Sequence, residues 1–243
     1  MREQFQVDLR GLVDVLSHHL YSSERVYLRE LLQNGHDAIK ARQRLGHDFA
    51  GRIEIVPARG YEQLVVRDNG IGLTGEDMRT LLSIIGNTSK RDDLSVARRD
   101  FLGQFGIGLL ACFLVADSIE VVSRSARTLD APTVRWVGQS DGTFTIGDAL
   151  TPLAEPGTEV RLRPRHGFHR WCDTDACTRY AGDFAELLDV PVHVAGETLS
   201  QQTPPWRLSL DDQLAWCRER FGFEAMGIIP FDSSSSSVAG LAF

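Results

Sequence analysis

The sequence lacks the features that mark most membrane, secreted and nucleic-acid-binding proteins. Its longest apolar run, "GIGLLACFLVA", is too short to cross a bilayer, which takes about 20 residues. Its start, "MREQFQVDLR", has no basic and then apolar signal pattern. Twenty-six basic residues face 33 acidic ones, the net charge is −7, and no Lys/Arg run could follow a phosphate backbone. We therefore expect a cytoplasmic protein without membrane or nucleic-acid partners.

Cysteine is scarce as well. The four cysteines form no CxxC pair, so reduced thiols are expected. One group could surround a zinc ion: His166, His169, Cys172 and Cys177. Their spacing matches no structural zinc pattern, and the nearby aspartates favour a polar loop that runs into a helix. Metal binding at this group is left open by the sequence.

Hydrophobic periodicity predicts a sheet and several helices. "RIEIVP" and "EQLVVRD" alternate as strands, and residues 118–165 read as four more, which suits an antiparallel sheet. Helices are predicted from about Ser23, as N-cap, to Leu45 and near residues 175–188, with a strand at "VPVHV". Thr74 and Asp77 form a capping pair before "MRTLLSII".

Other segments are predicted from weaker patterns. A short strand at "FQVD" and a helix near residues 11–20 precede the long helix. Residues 86–100 are polar, charged and without period, which makes them a lid candidate. "TPPW" at residues 203–206 resembles a linker. We expect a domain over residues 1–203, followed over residues 204–243 by a linker and the truncated start of another.

The long predicted helix carries a polar stripe. With 100° per residue, one line contains Glu30, Asn34, Asp37 and Ala41, and the opposite side contains Leu28, Leu32 and Ile39. The apolar side can face a core. The polar line must therefore face water or a ligand that forms hydrogen bonds.

Two glycine-rich turns could supply that ligand site. "RDNGIGLTG" superficially fits a dinucleotide fingerprint, but no second parallel strand follows and Asp68 would repel a pyrophosphate. The turn can instead point Asp68 into a pocket, where a carboxylate accepts from the amino group of adenine; the alternative is a surface turn. "GQFGIG", Gly103 to Gly108, opens an apolar helix whose amides can bind phosphate.

The order E-x-x-x-N, D-x-G-x-G and G-x-x-G-x-G resembles the GHKL ATPases. "YSSERVYLRELLQNGHDA", "GQFGIG" and "FLVAD" are most similar to the amino-terminal domain of the heat shock protein 90 family, over roughly residues 5–200. Pro156-Gly157-Thr158 matches the late Gly-Thr of that family. The resemblance implies an α/β two-layer sandwich: a mostly antiparallel sheet with helices on one face, enclosing ATP.

The resemblance also implies roles for individual residues. Glu30 would be the general base for the attacking water, and Asn34 would hold Mg²⁺. Asp68 would bind adenine, assisted through water by Gly72 and Thr158, with Leu73 beside the base. The remaining nucleotide-binding positions implied are Asp37, Ala38, Gly103, Gln104, Phe105, Gly106, Ile107 and Gly108.

For the whole protein, the resemblance implies an ATP-dependent chaperone of the stress response. It would bind ATP or ADP, client proteins and co-chaperones, and would dimerise through carboxy-terminal parts missing from this chain, so that hydrolysis by this stretch alone is slow. The chain departs from the family pattern at Ala41, Thr80 and Gly86. Two alternatives stay open: a nucleotide-gated interaction module that does not hydrolyse ATP, and an ATPase of the mismatch-repair or topoisomerase type. A sensor histidine kinase would have asparagine in place of Glu30.

Overall fold

The computed structural model describes residues 3–4, 23–46, 48–59, 62–80, 108–128, 130–186, 188–199, 203–233 and 238–243. Four predicted features lie outside these ranges: the strand at 5–8, the helix at 11–20, the lid at 86–100 and the turn residues 103–107.

The described residues form a nine-stranded sheet in the order β1-β6-β5-β4-β7-β3-β2-β8-β9. Seven of its eight pairings are antiparallel, and only β2 and β8 run parallel. The strands are β1 (Glu3–Gln4), β2 (Ile53–Val56), β3 (Leu64–Asp68), β4 (Ala116–Arg124), β5 (Thr133–Gln139), β6 (Thr143–Asp148), β7 (Gly157–Pro164), β8 (Val192–Val194) and β9 (Glu197–Thr198).

Two helices, α1 (Val26–Arg44) and α2 (Thr174–Ala185), share one hydrophobic core with the inner face of the sheet. Leu28, Leu32 and Ile39 on α1 are at most 1% exposed, as the predicted apolar side requires. The outer face of the sheet instead carries cross-strand ion pairs, among them Arg67–Glu159 and Arg135–Glu120. One face is thus covered by helices and the other is charged, so the prediction of a two-layer α/β sandwich with a mostly antiparallel sheet is confirmed.

Local signals were right at one helix start and wrong at another. Thr74 and Asp77 bond reciprocally, with their backbone nitrogens 2.8 and 3.1 Å from the partner's side-chain oxygen, and residues 75–80 are helical. The predicted N-cap Ser23 is wrong, because α1 begins after Arg25, whose backbone is already helical. Ser23 Oγ accepts only a 3.4 Å contact from the Arg25 nitrogen, so it belongs to the preceding turn.

The apolar segment after the second glycine-rich turn is a 3-10 helix, Gly108–Leu114. All seven of its residues are buried. Packing therefore determines its course more than helix propensity does.

Residues 203–243 build separate elements within their described parts. A 3-10 turn at Pro205–Arg207 leads to α3 (Leu210–Phe221), which Ser209 caps and which ends at Gly222 in a left-handed conformation. The strands β10 (Ile229–Ser233) and β11 (Val238–Ala242) pair only with each other. The domain boundary near residue 203 stays a prediction. Across the described residues, no helix is long and apolar enough to cross a membrane.

Candidate functional site

A pocket lies between α1 and the inner face of the sheet. Four predicted site residues line it: Asn34, Asp68, Leu73 and Thr158. The rest of its wall is almost wholly apolar and was not predicted from the sequence; it consists of Leu31, Gly35, Ile53, Val66, Leu109, Val121 and Val160. A cleft with apolar walls and a few polar groups at one end is the usual form of a small-molecule site.

Gly35 allows α1 to approach the sheet closely at the pocket. A Cβ atom at this position would lie 3.0 Å from Ile53 Cδ1 and 3.3 Å from Asp68 Cβ. Both contacts are tighter than ordinary packing distances. The helical stripe that carries Asn34 is thus held directly above β2 and β3.

Asp68, Thr158 and Ser123 form one row across three neighbouring strands. Thr158 on β7 pairs with Asp68 on β3 and with Ser123 on β4. Residues directly opposite each other in adjacent strands point to the same face of a sheet, so all three side chains belong to the pocket side. The Thr158 and Ser123 hydroxyl oxygens are 2.9 Å apart.

The carboxylate of Asp68 is held in surroundings that resist its ionisation. Burial raises its pKa from 3.8 to about 7, although hydrogen bonds from the backbone N–H groups of Gly70 and Thr158 oppose the shift. The Gly70 nitrogen lies 2.8 Å from Asp68 Oδ1. A carboxylate accepts about four hydrogen bonds, so Asp68 retains acceptor capacity toward the pocket. It is suited to a ligand that brings a hydrogen-bond donor.

The turn after Asp68 is buried, which contradicts the alternative of a surface turn. Asn69, Gly70, Ile71 and Gly72 are all buried, and the Ile71 nitrogen donates to the Ala38 carbonyl oxygen of α1 at 2.9 Å. Gly72 has a φ of +64°, and a Cβ atom there would lie 2.0 Å from the Arg124 carbonyl oxygen. No other residue fits this position, so the turn fixes the direction of Asp68 rigidly.

Glu30 lies beside the start of the 3-10 helix. Its side chain is 14% exposed, and Arg29 Nη2 donates to its Oε1 at 2.8 Å. A Cβ atom on Gly108 would come within 2.6 Å of Glu30 Oε2. Gly108, the last residue of the predicted phosphate-binding turn, is therefore in contact with the predicted general base.

Among the described residues, the other predicted nucleotide-binding positions are not part of the pocket wall. The Asp37 side chain is 37% exposed, with Oδ1 3.5 Å from His36 Nδ1. Ala38 is buried and packs against Gly70, so it supports the turn from behind. Gly72 acts through the backbone as described above. Gly103, Gln104, Phe105, Gly106 and Ile107 lie outside the described residues.

The residues present fit an adenine nucleotide better than a protein-bound metal cluster. The acceptor of Asp68 and the apolar walls suit a purine base with an amino group. Within the described ranges, no three His, Cys, Asp or Glu side chains gather in a metal-binding arrangement. Mg²⁺ needs no such group, since it commonly keeps its waters and takes few protein ligands, and Asn34 offers an amide oxygen at the pocket.

The zinc candidate proves to be a helix start with two buried thiols. The predicted polar loop running into a helix is confirmed: Asp173 Oδ1 caps α2 by accepting from the Ala176 nitrogen at 2.9 Å. Cys172 and Cys177 are buried, and burial raises the pKa of both thiols to about 12. A thiolate is the form that binds metal, and burial disfavours it here.

Sequence comparison relates the chain to a family of ATPases. Residues 21–150 match the family described as histidine kinase-, DNA gyrase B- and HSP90-like ATPase. The chain is 28% identical to the chaperone protein HtpG of Geobacter metallireducens over 205 residues, which is 78% of this chain. It is 30% identical to HtpG of Methylobacterium sp. (strain 4-46) over 224 residues, or 85% of this chain, and 26% identical to HtpG of Idiomarina loihiensis over 241 residues, or 89%.

These alignments cover only part of each relative: 31% of the Geobacter protein, 36% of the Methylobacterium protein and 38% of the Idiomarina protein. The chain thus spans roughly a third of the length of the curated relatives it matches.

Proposed function

The chain belongs to the histidine kinase-, DNA gyrase B- and HSP90-like ATPase family, and on that premise we propose that it binds ATP between α1 and the sheet and hydrolyses it as part of a chaperone. The chaperone role follows the names of its relatives. The single observation that carries the nucleotide site is the half-buried carboxylate of Asp68, which a rigid turn holds in the wall of an apolar pocket.

Adenine binding follows from the row at the base of the pocket. The Asp68 carboxylate accepts from the 6-amino group, while Gly72 and Thr158 assist through water. Leu73, which lines the same pocket, packs beside the ring. An unpaired buried carboxylate is costly, so a base without a donor at this position binds less well.

We assign hydrolysis to two residues of α1: Asn34, which lines the pocket, and Glu30, one turn before it. Asn34 would hold Mg²⁺, which would neutralise charge on the phosphates when bound. Glu30 accepts the proton of the water that attacks the γ-phosphorus, while the bond to the β-phosphate oxygen breaks and ADP leaves. The contact of Glu30 with Gly108, the last residue of the predicted phosphate-binding turn, supports this assignment.

We further propose that the protein acts in the cytoplasm on client proteins. It would dimerise through carboxy-terminal parts that this chain does not cover. The domain that ends near residue 203 would supply the nucleotide-dependent change. Closure of residues 86–100 over ATP is the lid motion that we propose.

The ion pair of Arg29 with Glu30 favours a second candidate function, in which ATP is bound but not hydrolysed. Because Arg29 occupies Glu30 Oε1 at 2.8 Å, this oxygen is less available to water. The chain would then act as a nucleotide-gated interaction module that binds ATP with negligible turnover.

Glu30→Ala tests the assignment of the base. We expect ATP binding by calorimetry to stay within about threefold while steady-state phosphate release falls by roughly 10²–10⁴, the contribution of a positioned general base. Glu24→Ala, a glutamate in the turn before the same helix, serves as the matched control and should change neither quantity. Loss of binding together with turnover would make Glu30 structural. Phosphate release no faster in the unsubstituted chain than in Glu30→Ala would favour the non-hydrolysing module.

A further inference from the structure

Ser123 is a fully buried serine on β4 to which the nucleotide site above gives no role. Its hydroxyl oxygen contacts three groups at the base end of the pocket. The Leu73 nitrogen lies 2.8 Å away, the Gly157 carbonyl oxygen 2.9 Å away and Thr158 Oγ1 2.9 Å away. Two of these neighbours, Leu73 and Thr158, line the pocket.

Only one arrangement of protons makes all three contacts hydrogen bonds. A backbone N–H can only donate, so Leu73 occupies one lone pair of Ser123 Oγ. A carbonyl can only accept, so the single Ser123 proton points to Gly157. The remaining lone pair of Ser123 can only accept, which means that the proton of Thr158 is donated to Ser123 and is unavailable to a ligand.

In this arrangement, Thr158 and Asp68 both present hydrogen-bond acceptors to the base. Thr158 is left with acceptor lone pairs, and it stands beside Asp68, whose ionised carboxylate also only accepts. The 6-amino group of adenine brings two hydrogens to this pair of acceptors, directly or through a water. A 6-oxo purine brings lone pairs to the same place, and these meet no donor as long as Asp68 is ionised.

We propose that Ser123 is a positioning residue that fixes the Thr158 hydroxyl as an acceptor and so selects 6-amino over 6-oxo purine nucleotides. This inference rests on the proposed ATP site. Base selection would thus depend partly on β4, a strand in which no site residue was predicted from the sequence.

The test compares the affinity for ADP with that for inosine diphosphate, which carries a 6-oxo group and a proton on N1. In Ser123→Ala the Thr158 proton is released and can turn toward the 6-oxo group. We expect the ratio of ADP to inosine diphosphate affinity, measured by calorimetry, to fall about three- to tenfold, the effect of one hydrogen bond of ordinary net strength. Ser123→Thr keeps the hydroxyl and should show the same affinity ratio as the parent.

Ser125→Ala is the matched control. Ser125 is also fully buried and lies two residues further along, but its Oγ contacts the Arg127 nitrogen instead. It should leave the ratio unchanged. If Ser123→Ala fails to fold, Ser123→Cys keeps the volume with a thiol that accepts only weakly, and the ratio should again fall.

The outcomes separate this inference from the proposed function. A purely structural role of Ser123 would weaken the binding of both nucleotides by the same factor, and an unchanged ratio would overturn the inference while leaving the adenine site intact. An unsubstituted chain that binds no ADP would overturn the proposed function, and the inference with it.

Discussion

The ionisation of Asp68 should make nucleotide affinity and protein stability depend on pH in opposite directions. Its pKa is about 7, against an ordinary value of 3.8, because burial outweighs the hydrogen bonds from Gly70 and Thr158. Only the ionised carboxylate can accept from the amino group of adenine on every lone pair. Protonation turns one of these acceptors into a donor, so we expect adenine to bind the ionised form in preference.

The size of the effect on affinity follows from the pKa. At pH 5, two units below a pKa of about 7, roughly 1% of Asp68 is ionised, so affinity should be about 100-fold lower than at pH 9. Adenosine is the appropriate ligand, because it has no phosphate that titrates in this range. Titration calorimetry between pH 5 and pH 9 should give a slope of one in log affinity below pH 7 and a plateau above it.

The effect on stability has the opposite sign. Because the folded state holds the Asp68 proton more tightly than the unfolded state, the stabilisation that this group provides is complete below pH 3.8 and is lost as the pH rises to about 7. The difference between these two pKa values corresponds to at most about 4 kcal/mol of stability, and water in the pocket reduces this. In Asp68→Asn the free energy of unfolding, measured in urea, should not show this loss. The variant should therefore gain stability relative to the parent as the pH rises from 4 to 8. It should also bind adenosine poorly at every pH.

His36 is the obvious confounding group, because the contact with Asp37 raises its pKa from 6.5 despite opposition from burial, and Asp189 adds to the increase. If Asp68 is the group that controls binding, His36→Gln should keep the pH profile of adenosine affinity that the parent shows. A profile that is flat in the parent between pH 5 and pH 9, or one that disappears in His36→Gln, would refute the assignment of Asp68 as the ionising acceptor for the base.

Two further predictions concern residues around the site. Gly108→Ala should leave ADP affinity within about threefold but lower phosphate release at least about tenfold, because the new Cβ would lie 2.6 Å from Glu30 Oε2 and displace that carboxylate. Gly182→Ala, which has open space at its Cβ, is the control. Full turnover in Gly108→Ala would contradict the placement of Glu30. His36→Gln should destabilise the protein more at pH 5.5 than at pH 8.5, because a raised histidine pKa stabilises the fold below pH 6.5 and this stabilisation is lost as the pH rises through the folded-state pKa. Urea unfolding measures the difference, with His193→Gln as the control. An equal loss of stability at both pH values would contradict the prediction.

Most elements of the sheet could be predicted because they follow from local patterns. Alternation locates β2 to β7, and it also states which residues share a face: Asp68 has the parity of Leu64 and Val66, and all three point inward. The helical stripe likewise separates Leu28 from Asn34. These features depend on residues a few positions apart, which is the range over which sequence periodicity carries information.

The pairing of the strands could not be predicted in the same way. Thr158 meets Asp68 and Ser123 because β7 lies between β3 and β4, although these strands are far apart in the chain. No local pattern encodes that order. The apolar wall of the pocket was missed for this reason, since Ile53, Val121 and Leu109 come together only through the sheet order and the packing of the 3-10 helix. Ser123 had one usable signal, its shared parity with Val121, which indicates an inward hydroxyl.

The structure divides the site into two parts with different physical origins. Asp68, Thr158 and Ser123 are held by strand register, so the choice of base depends on the rigid inner face of the sheet. Glu30 is held instead by α1 and by its contact with Gly108, outside that row. Because the two groups share no hydrogen bond among the described contacts, substitutions in the row should change which nucleotide binds, whereas substitutions at Glu30 or Gly108 should change how fast it is hydrolysed. In a double variant of Ser123→Ala and Gly108→Ala, the free-energy changes of nucleotide binding and of hydrolysis should therefore each equal the sum of those in the two single variants. A difference from that sum well above about 0.5 kcal/mol would mean that the base site and the hydrolytic site are coupled.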